Sequence, residues 1–213
     1  MFVTFEGIEG AGKSTLLNLV AKALRKRGLN PLLTREPGGT ALGCSLRAML
    51  LAGETERPSP RAELCLFMAD RAQHLEELIR PALAAGRIVL CDRYADSTFA
   101  YQGHGRGLDP ELLAAANFMA SGGLTPDLTF LLDLPVPIGL ARARTRNQSQ
   151  ALQEARFDSE SENFHQRVRP GYLRLAAREP GRFCVLDATD NPAALARICL
   201  ERLGPLIAAA DRT

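Results

Sequence analysis

Gly7-Ile8-Glu9-Gly10-Ala11-Gly12-Lys13-Ser14 decides how this 213-residue chain is read. The stretch satisfies G-x-x-x-x-G-K-[ST] at every fixed position, follows an apolar run at 2–5 and opens a helical pattern at 13–27, the strand–loop–helix setting that gives the motif its meaning. Gly7, Gly10 and Gly12 admit backbone conformations closed to other residues and let N–H groups converge on phosphate oxygens. The following helix adds the positive end of its dipole. Gly7, Glu9, Gly10, Ala11, Gly12, Lys13, Ser14 and Thr15 are therefore read as the cradle of a nucleoside triphosphate, with Lys13 against the β- and γ-phosphates and the Ser14 hydroxyl on Mg2+. The motif fits ATP or GTP. A regulatory GTPase would normally also carry N-K-x-D to read guanine, and the sequence has none.

Outward from the loop, strand-like runs at 2–5, 31–33, 88–91, 128–132 and 183–186 alternate with helical patterns at 13–27, 42–51, 61–84, 110–121, 137–146, 162–178 and 192–209. Such alternation predicts an α/β fold, a three-layer P-loop NTPase arrangement with a parallel five-stranded sheet flanked by helices and ligands at the carboxyl ends of the strands. Asp109-Pro110-Glu111 and Asn191-Pro192 mark helix starts. Residues 144–158 are polar, lack an apolar period of their own and read as a mobile lid. The length suits a single kinase-sized domain over 1–213.

Composition narrows the partners. A net charge of +2 without a basic run speaks against extended nucleic acid. No apolar stretch approaches the roughly 20 residues of a membrane span, and the N-terminus shows no signal-peptide pattern, so a cytoplasmic protein is expected. The five cysteines, Cys44, Cys65, Cys91, Cys184 and Cys199, include no C-x-x-C pair and read as buried core thiols.

Two apolar runs end in an aspartate, Asp92 and Asp133, where a carboxylate assisting Mg2+ belongs. Asp92 is the preferred one because Arg93 follows it, while Asp133 fits a structural role equally well. These residues lie within stretches that resemble the bacterial thymidylate kinases over essentially the whole chain: 5–14 through the phosphate loop, Thr34-Arg35-Glu36-Pro37-Gly38-Gly39-Thr40, Asp92-Arg93-Tyr94, Ser97 to Gly103 (S-T-F-A-Y-Q-G) and Pro126-Asp127-Leu128-Thr129.

The resemblance implies transfer of the γ-phosphate of ATP to dTMP with Mg2+ as cofactor, and a homodimer formed through a helix face such as 61–84. It assigns dTMP binding to Glu36, Arg47, Phe67, Arg71, Arg93, Thr98, Tyr101 and Gln102. Arg47 and Arg93 grip the acceptor phosphate, a task suited to the guanidinium fork. Phe67 stacks on thymine, Arg71 one helical turn on reaches a base carbonyl, Thr98 and Gln102 read the base edge, and Tyr101 disfavours a 2′-hydroxyl. Glu9 addresses the acceptor sugar, and the peptide before Pro37 is expected to be cis. With Gly10 rather than a basic residue in the loop, the transition-state cation falls to lid arginines, Arg146 and Arg156, with Arg144 in reserve. A nucleoside kinase, a kinase for another monophosphate and a P-loop binding module remain as alternatives.

Overall fold

Side chains along a strand alternate between faces, and here both faces are apolar. In the computed structural model, which describes residues 1–51, 57–150, 157 and 160–210, Phe2 of β1 (Phe2–Glu6) and Val89 and Cys91 of β3 (Val89–Asp92) enter one core with Leu75, Ile79 and Tyr94. Val3, Phe5 and Leu90 enter a larger one with Leu16, Val20 and Leu24 of α1 (Lys13–Lys26) and Cys199 and Leu203 of α9 (Pro192–Ala210). Two cores on opposite faces make the sheet the middle of three layers.

The remaining strands are β2 (Leu32–Arg35), β4 (Leu128–Asp133) and β5 (Phe183–Asp187), and all neighbours pair in parallel in the order β2-β3-β1-β4-β5. The expected five-stranded parallel sheet is thus present. β1 is central, and register places Phe5 beside Asp92. The phosphate loop, Asp92 and Asp133 consequently leave the sheet at one end.

Between the strands lie α2 (Ala41–Leu51), α3 (Pro60–His74), α4 (Arg80–Ala84), α5 (Ala95–Thr98), α6 (Pro110–Ser121), α7 (Val136–Gln150) and α8 (Glu162–Arg178). The Asp109 side chain accepts from the N–H groups of Glu111 (2.8 Å) and Leu112 (3.1 Å) ahead of Pro110, and Asn191 accepts from Ala193 N–H (2.8 Å), as their sequences predict. Among the described residues no helix is long and apolar enough to cross a membrane.

Three expectations need correction. The helix foreseen over 61–84 is interrupted by a π-helical turn, Leu75–Ile79, before α4 restarts with Pro81 in its first turn; proline supplies no N–H to an α-helical ladder, and the widened turn accommodates the loss. Residues 144–150, assigned to the lid, continue α7. No Gly or Pro stops the helix there, and the missing apolar period reflects a solvent-facing turn rather than a loop, with Arg144, Thr145 and Arg146 all exposed. Of the remaining lid, Phe157 is described, whereas Arg156 lies outside the described residues. Finally, only Cys91 and Cys199 are buried; Cys44 and Cys65 are exposed and Cys184 is half-buried, because each of these sits on an outward position of its helix or edge strand.

Candidate active site

The phosphate loop is shaped by its glycines. Gly10 (φ 70°) approaches α7 so closely that a Cβ there would overlap the carbonyl oxygen of Gly139, and Gly12 (φ 89°) caps α1 in the left-handed region. Lys13 lies buried along the loop, its Nζ donating to the carbonyls of Gly7 (3.1 Å) and Ile8 (3.0 Å). Burial, followed by the charge of Arg93, pulls its ammonium down to about 8. Ser14 Oγ donates to Asp92 Oδ2, so the two residues assigned to Mg2+ touch. Asp133 instead forms a two-pronged ion pair with Arg169 of α8 (2.7 and 2.9 Å), the structural alternative left open for it.

Beside the loop, Arg93 takes a left-handed conformation (φ 70°), which a side-chain-bearing residue adopts at a cost of about 1 kcal/mol. The turn aims its guanidinium back across the end of β1. Nη2 donates to Glu9 Oε1 (2.9 Å) and Tyr101 Oη (3.0 Å), and Nη1 to Tyr172 Oη (3.1 Å) and Ser97 Oγ (3.3 Å). Tyr101 in turn donates to the Glu9 carboxylate (2.6 and 2.8 Å). Burial raises the Glu9 carboxyl, yet Arg93, His165 and Lys13 together outweigh it and hold Glu9 well below the usual carboxylate range. Glu9 is therefore an ionised acid with partners inside the protein, which reconciles its place in an anion-binding loop.

A second polar cluster lies under α3. Arg71, completely buried, donates from Nε to Glu36 (2.9 Å) and from Nη1 to Thr98 (3.0 Å) and Asn117. Glu36 also meets His74 Nδ1 (3.0 Å). Gln102 donates its amide N–H to Glu63 (2.7 Å), which fixes the orientation of that amide. Arg47 donates to the Pro37 carbonyl (3.0 Å), and the Glu36–Pro37 peptide is cis as expected.

Residues from the loop and from both polar clusters line one cavity of about 500 Å3, in the range of a small-molecule site. Its wall brings together Glu9, Gly10, Lys13, Ser14 and Asp92 with Glu36, Arg47, Phe67, Arg71, Arg93, Thr98, Tyr101, Gln102 and Arg146. Gly7, Ala11, Gly12 and Thr15 shape the loop without lining that cavity. Sequence reasoning missed Glu6, Glu63, Asn117, Phe157, His165 and Tyr172. For the last two a signal existed: Phe164, His165, Val168 and Tyr172 share the buried stripe of α8, so the polar members of that stripe require partners.

A triphosphate loop and a cluster of cations and aromatics sharing one cleft on a five-stranded parallel sheet define a P-loop nucleoside monophosphate kinase. The family model for thymidylate kinase matches residues 5–197, and the chain belongs to the thymidylate kinase family. It is 61% identical to the thymidylate kinase of Desulfovibrio desulfuricans over 194 residues, 90% of this chain and 89% of that one. It is 54% identical to that of Solidesulfovibrio magneticus over 209 residues, 97% and 100% of the two chains. The solved thymidylate kinase of Ehrlichia chaffeensis superimposes with a TM-score of 0.77 at 33% identity, covering 96% of this chain and 98% of that one.

Proposed function

We propose that this enzyme transfers the γ-phosphate of ATP to dTMP, giving dTDP and ADP, with the acceptor held by the residues around Arg93 and Arg71. The observation that carries the reading is the sharing of one 500 Å3 cavity by Lys13, Ser14 and Asp92 on one side and Arg47, Phe67, Arg71 and Arg93 on the other. A donor cradle and a site for an anionic aromatic nucleotide meet there.

Phosphoryl transfer asks mainly for positioning and charge neutralisation. The attacking oxygen belongs to an ionised phosphate, so a new P–O bond forms as the bond to ADP breaks and no proton need move. In this reading Lys13 rests on the triphosphate, Arg47 and Arg93 grip the acceptor phosphate, and Arg146 and Arg156 bring positive charge to the migrating group. Phe67 stacks on thymine, Arg71, Thr98 and Gln102 address its edge, and Tyr101 with Glu9 favours a deoxyribose. Mg2+ suits the hard oxygen donors Ser14 and Asp92, since it takes few protein ligands and keeps phosphate oxygens and waters. When bound it would neutralise phosphate charge.

We also place the enzyme in the cytoplasm and propose a homodimer. The support for the dimer is the outward face of α3, with Ala62, Cys65 and Ala69 exposed, beside the large exposed side chains Phe118 (68%) and Met119 (75%) of α6. Phe118→Glu should convert a dimer to monomer in sedimentation velocity. For the activity, ADP release is followed with Mg-ATP against thymidine and the monophosphates of thymidine, deoxyuridine, deoxycytidine, adenosine and guanosine, with a chelator control. Magnesium-dependent turnover with dTMP, and weaker or no turnover with dUMP, is expected. Preference for thymidine, or silence with every acceptor despite ATP binding, would overturn the assignment.

A further inference from the structure

His165 lines no part of the cavity, yet it touches two pieces of its wall. The ring is completely buried on α8, packed edge-on against Phe164 at 5.5 Å. Its Nε2 lies 3.0 Å from the carbonyl oxygen of Phe157. Its Nδ1 lies 3.2 Å from Glu9 Oε2, without the alignment of a full hydrogen bond. Glu9 belongs to the phosphate loop and Phe157 to the return toward α8, and both line the cavity. Both also meet Tyr101, whose hydroxyl donates to Glu9 and whose ring stands edge-on to Phe157 at 5.7 Å.

The chemistry of these two neighbours is restrictive. A backbone carbonyl oxygen only accepts, and an ionised carboxylate only accepts. A neutral imidazole donates from one nitrogen, so serving Phe157 alone would set a ring lone pair against Glu9. Both contacts are served together only when both ring nitrogens carry hydrogen. The other charged groups around Glu9, Arg93 after β3 and Lys13 of α1, are cations, and Tyr101 and Tyr172 supply hydroxyls to the same network.

We propose that His165 is a positioning residue for the acceptor half of the site, bridging the Glu9 carboxylate to the Phe157 carbonyl and so holding in register the two wall pieces that flank the dTMP sugar and base. The inference rests on the reading of the cavity as a dTMP site and deepens it.

The test is calorimetric titration of dTMP into the nucleotide-free full chain, wild type and variants, with Tm and the KM values for dTMP and ATP measured alongside. His165→Phe keeps the ring shape and removes both polar contacts. It should weaken dTMP binding about tenfold, a loss on the scale of one or two buried hydrogen bonds, and leave the KM for ATP within about twofold. His165→Gln, which retains a donor, should recover part of the loss. In a Glu9→Gln background His165→Phe should have a much smaller effect, because the shared partner is gone.

Unchanged dTMP affinity in both variants with a lowered Tm would reduce His165 to core packing and overturn the proposal, as would an equal rise in both KM values. Should His165→Phe fail to fold, His165→Gln decides: about threefold weaker dTMP binding supports the bridge, and wild-type affinity refutes it. Absence of dTMP binding by the wild-type chain would overturn the functional reading itself, a result separable from these.

Discussion

The backbone N–H of Tyr94 donates to Glu6 Oε1 at 2.7 Å, and this bond clamps the left-handed turn that aims Arg93. Glu6 Oε2 accepts from Ser97 Oγ (2.6 Å) and Tyr172 Oη (2.8 Å), so the carboxyl of a central strand holds three donors beneath the site. Burial first, and then the charge of Asp96, raise its pKa from 4.5 to about 7. Between those values the unfolded chain has released a proton that the folded chain keeps. The stability that Glu6 contributes is thus fully present below pH 4.5 and lost as pH rises to 7. Glu6→Gln should remove that component. Urea unfolding from pH 5 to 7.5 should show wild type losing on the order of a few kcal/mol relative to the variant; parallel profiles would mean that Glu6 is ionised throughout.

Lys13 donates to two loop carbonyls from a buried position that leaves it close to any phosphate the loop receives. Lys13→Ala should lower kcat by about 10³-fold or more, the scale of a lost transition-state charge contact, with little change in Tm. A kcat within tenfold of wild type would remove Lys13 from the phosphoryl-transfer machinery.

What was legible in the sequence was local or periodic. The phosphate loop is eight contiguous residues, the strands are short apolar runs, and the caps at Asp109 and Asn191 lie within two or three residues of what they bind. The supporting network was not legible because its partners are remote: Tyr172 and Glu6 are 166 positions apart, Arg71 and Asn117 46, and Gln102 and Glu63 39. No periodicity encodes such pairs; the sheet order makes them. Arg71 shows the difference. Its spacing from Phe67 put it on the right helix face, but only the fold reveals that Glu36, Thr98 and Asn117 fix its guanidinium. The cysteines failed differently: small thiols tolerate exposed helix positions, so residue type alone misplaced Cys44 and Cys65.

Arg106 grips buried Glu63 with two nitrogens (3.1 and 3.2 Å) and Glu160 with one (2.7 Å), over the ring of Phe164 at 4.5 Å. Arg106→Ala takes two donors from a carboxylate sealed from solvent, which should destabilise the fold by about 3 kcal/mol and loosen Gln102, which also donates to Glu63. Adding Glu63→Gln should restore much of the stability by removing a buried negative charge that has lost its Arg106 partner. Equal stability of the single and double variants would show that Glu63 keeps a sufficient partner without Arg106.

Phe67 is half-buried, lines the cavity and lies 6.2 Å from the Phe157 ring. A stacking role and a packing role separate in one variant. Phe67→Ala should raise the KM for dTMP by about tenfold or more, as loss of an aromatic stack on a base does, with the KM for ATP unchanged. A normal KM for dTMP with a Tm lowered by several degrees would assign Phe67 to the core it also touches.

With Gly10 rather than a basic residue at that loop position, the proposed mechanism adds Arg146 and Arg156 to Lys13 as the source of positive charge on the migrating phosphoryl group. Arg146 of α7 lines the cavity alongside Lys13, and Arg156 immediately precedes Phe157, which lines it too. A group that acts only on the transition state lowers kcat without weakening the ground-state complex. Arg156→Ala should therefore lower kcat by about 10- to 100-fold and raise the KM for dTMP less than that, and Arg146→Ala should behave in the same way. Single-turnover quench-flow measurements on both variants make the comparison free of product release. An unchanged kcat in the Arg156 variant beside a lowered one in the Arg146 variant would place the transition-state charge on α7 alone, and the reverse would place it on the segment ahead of Phe157.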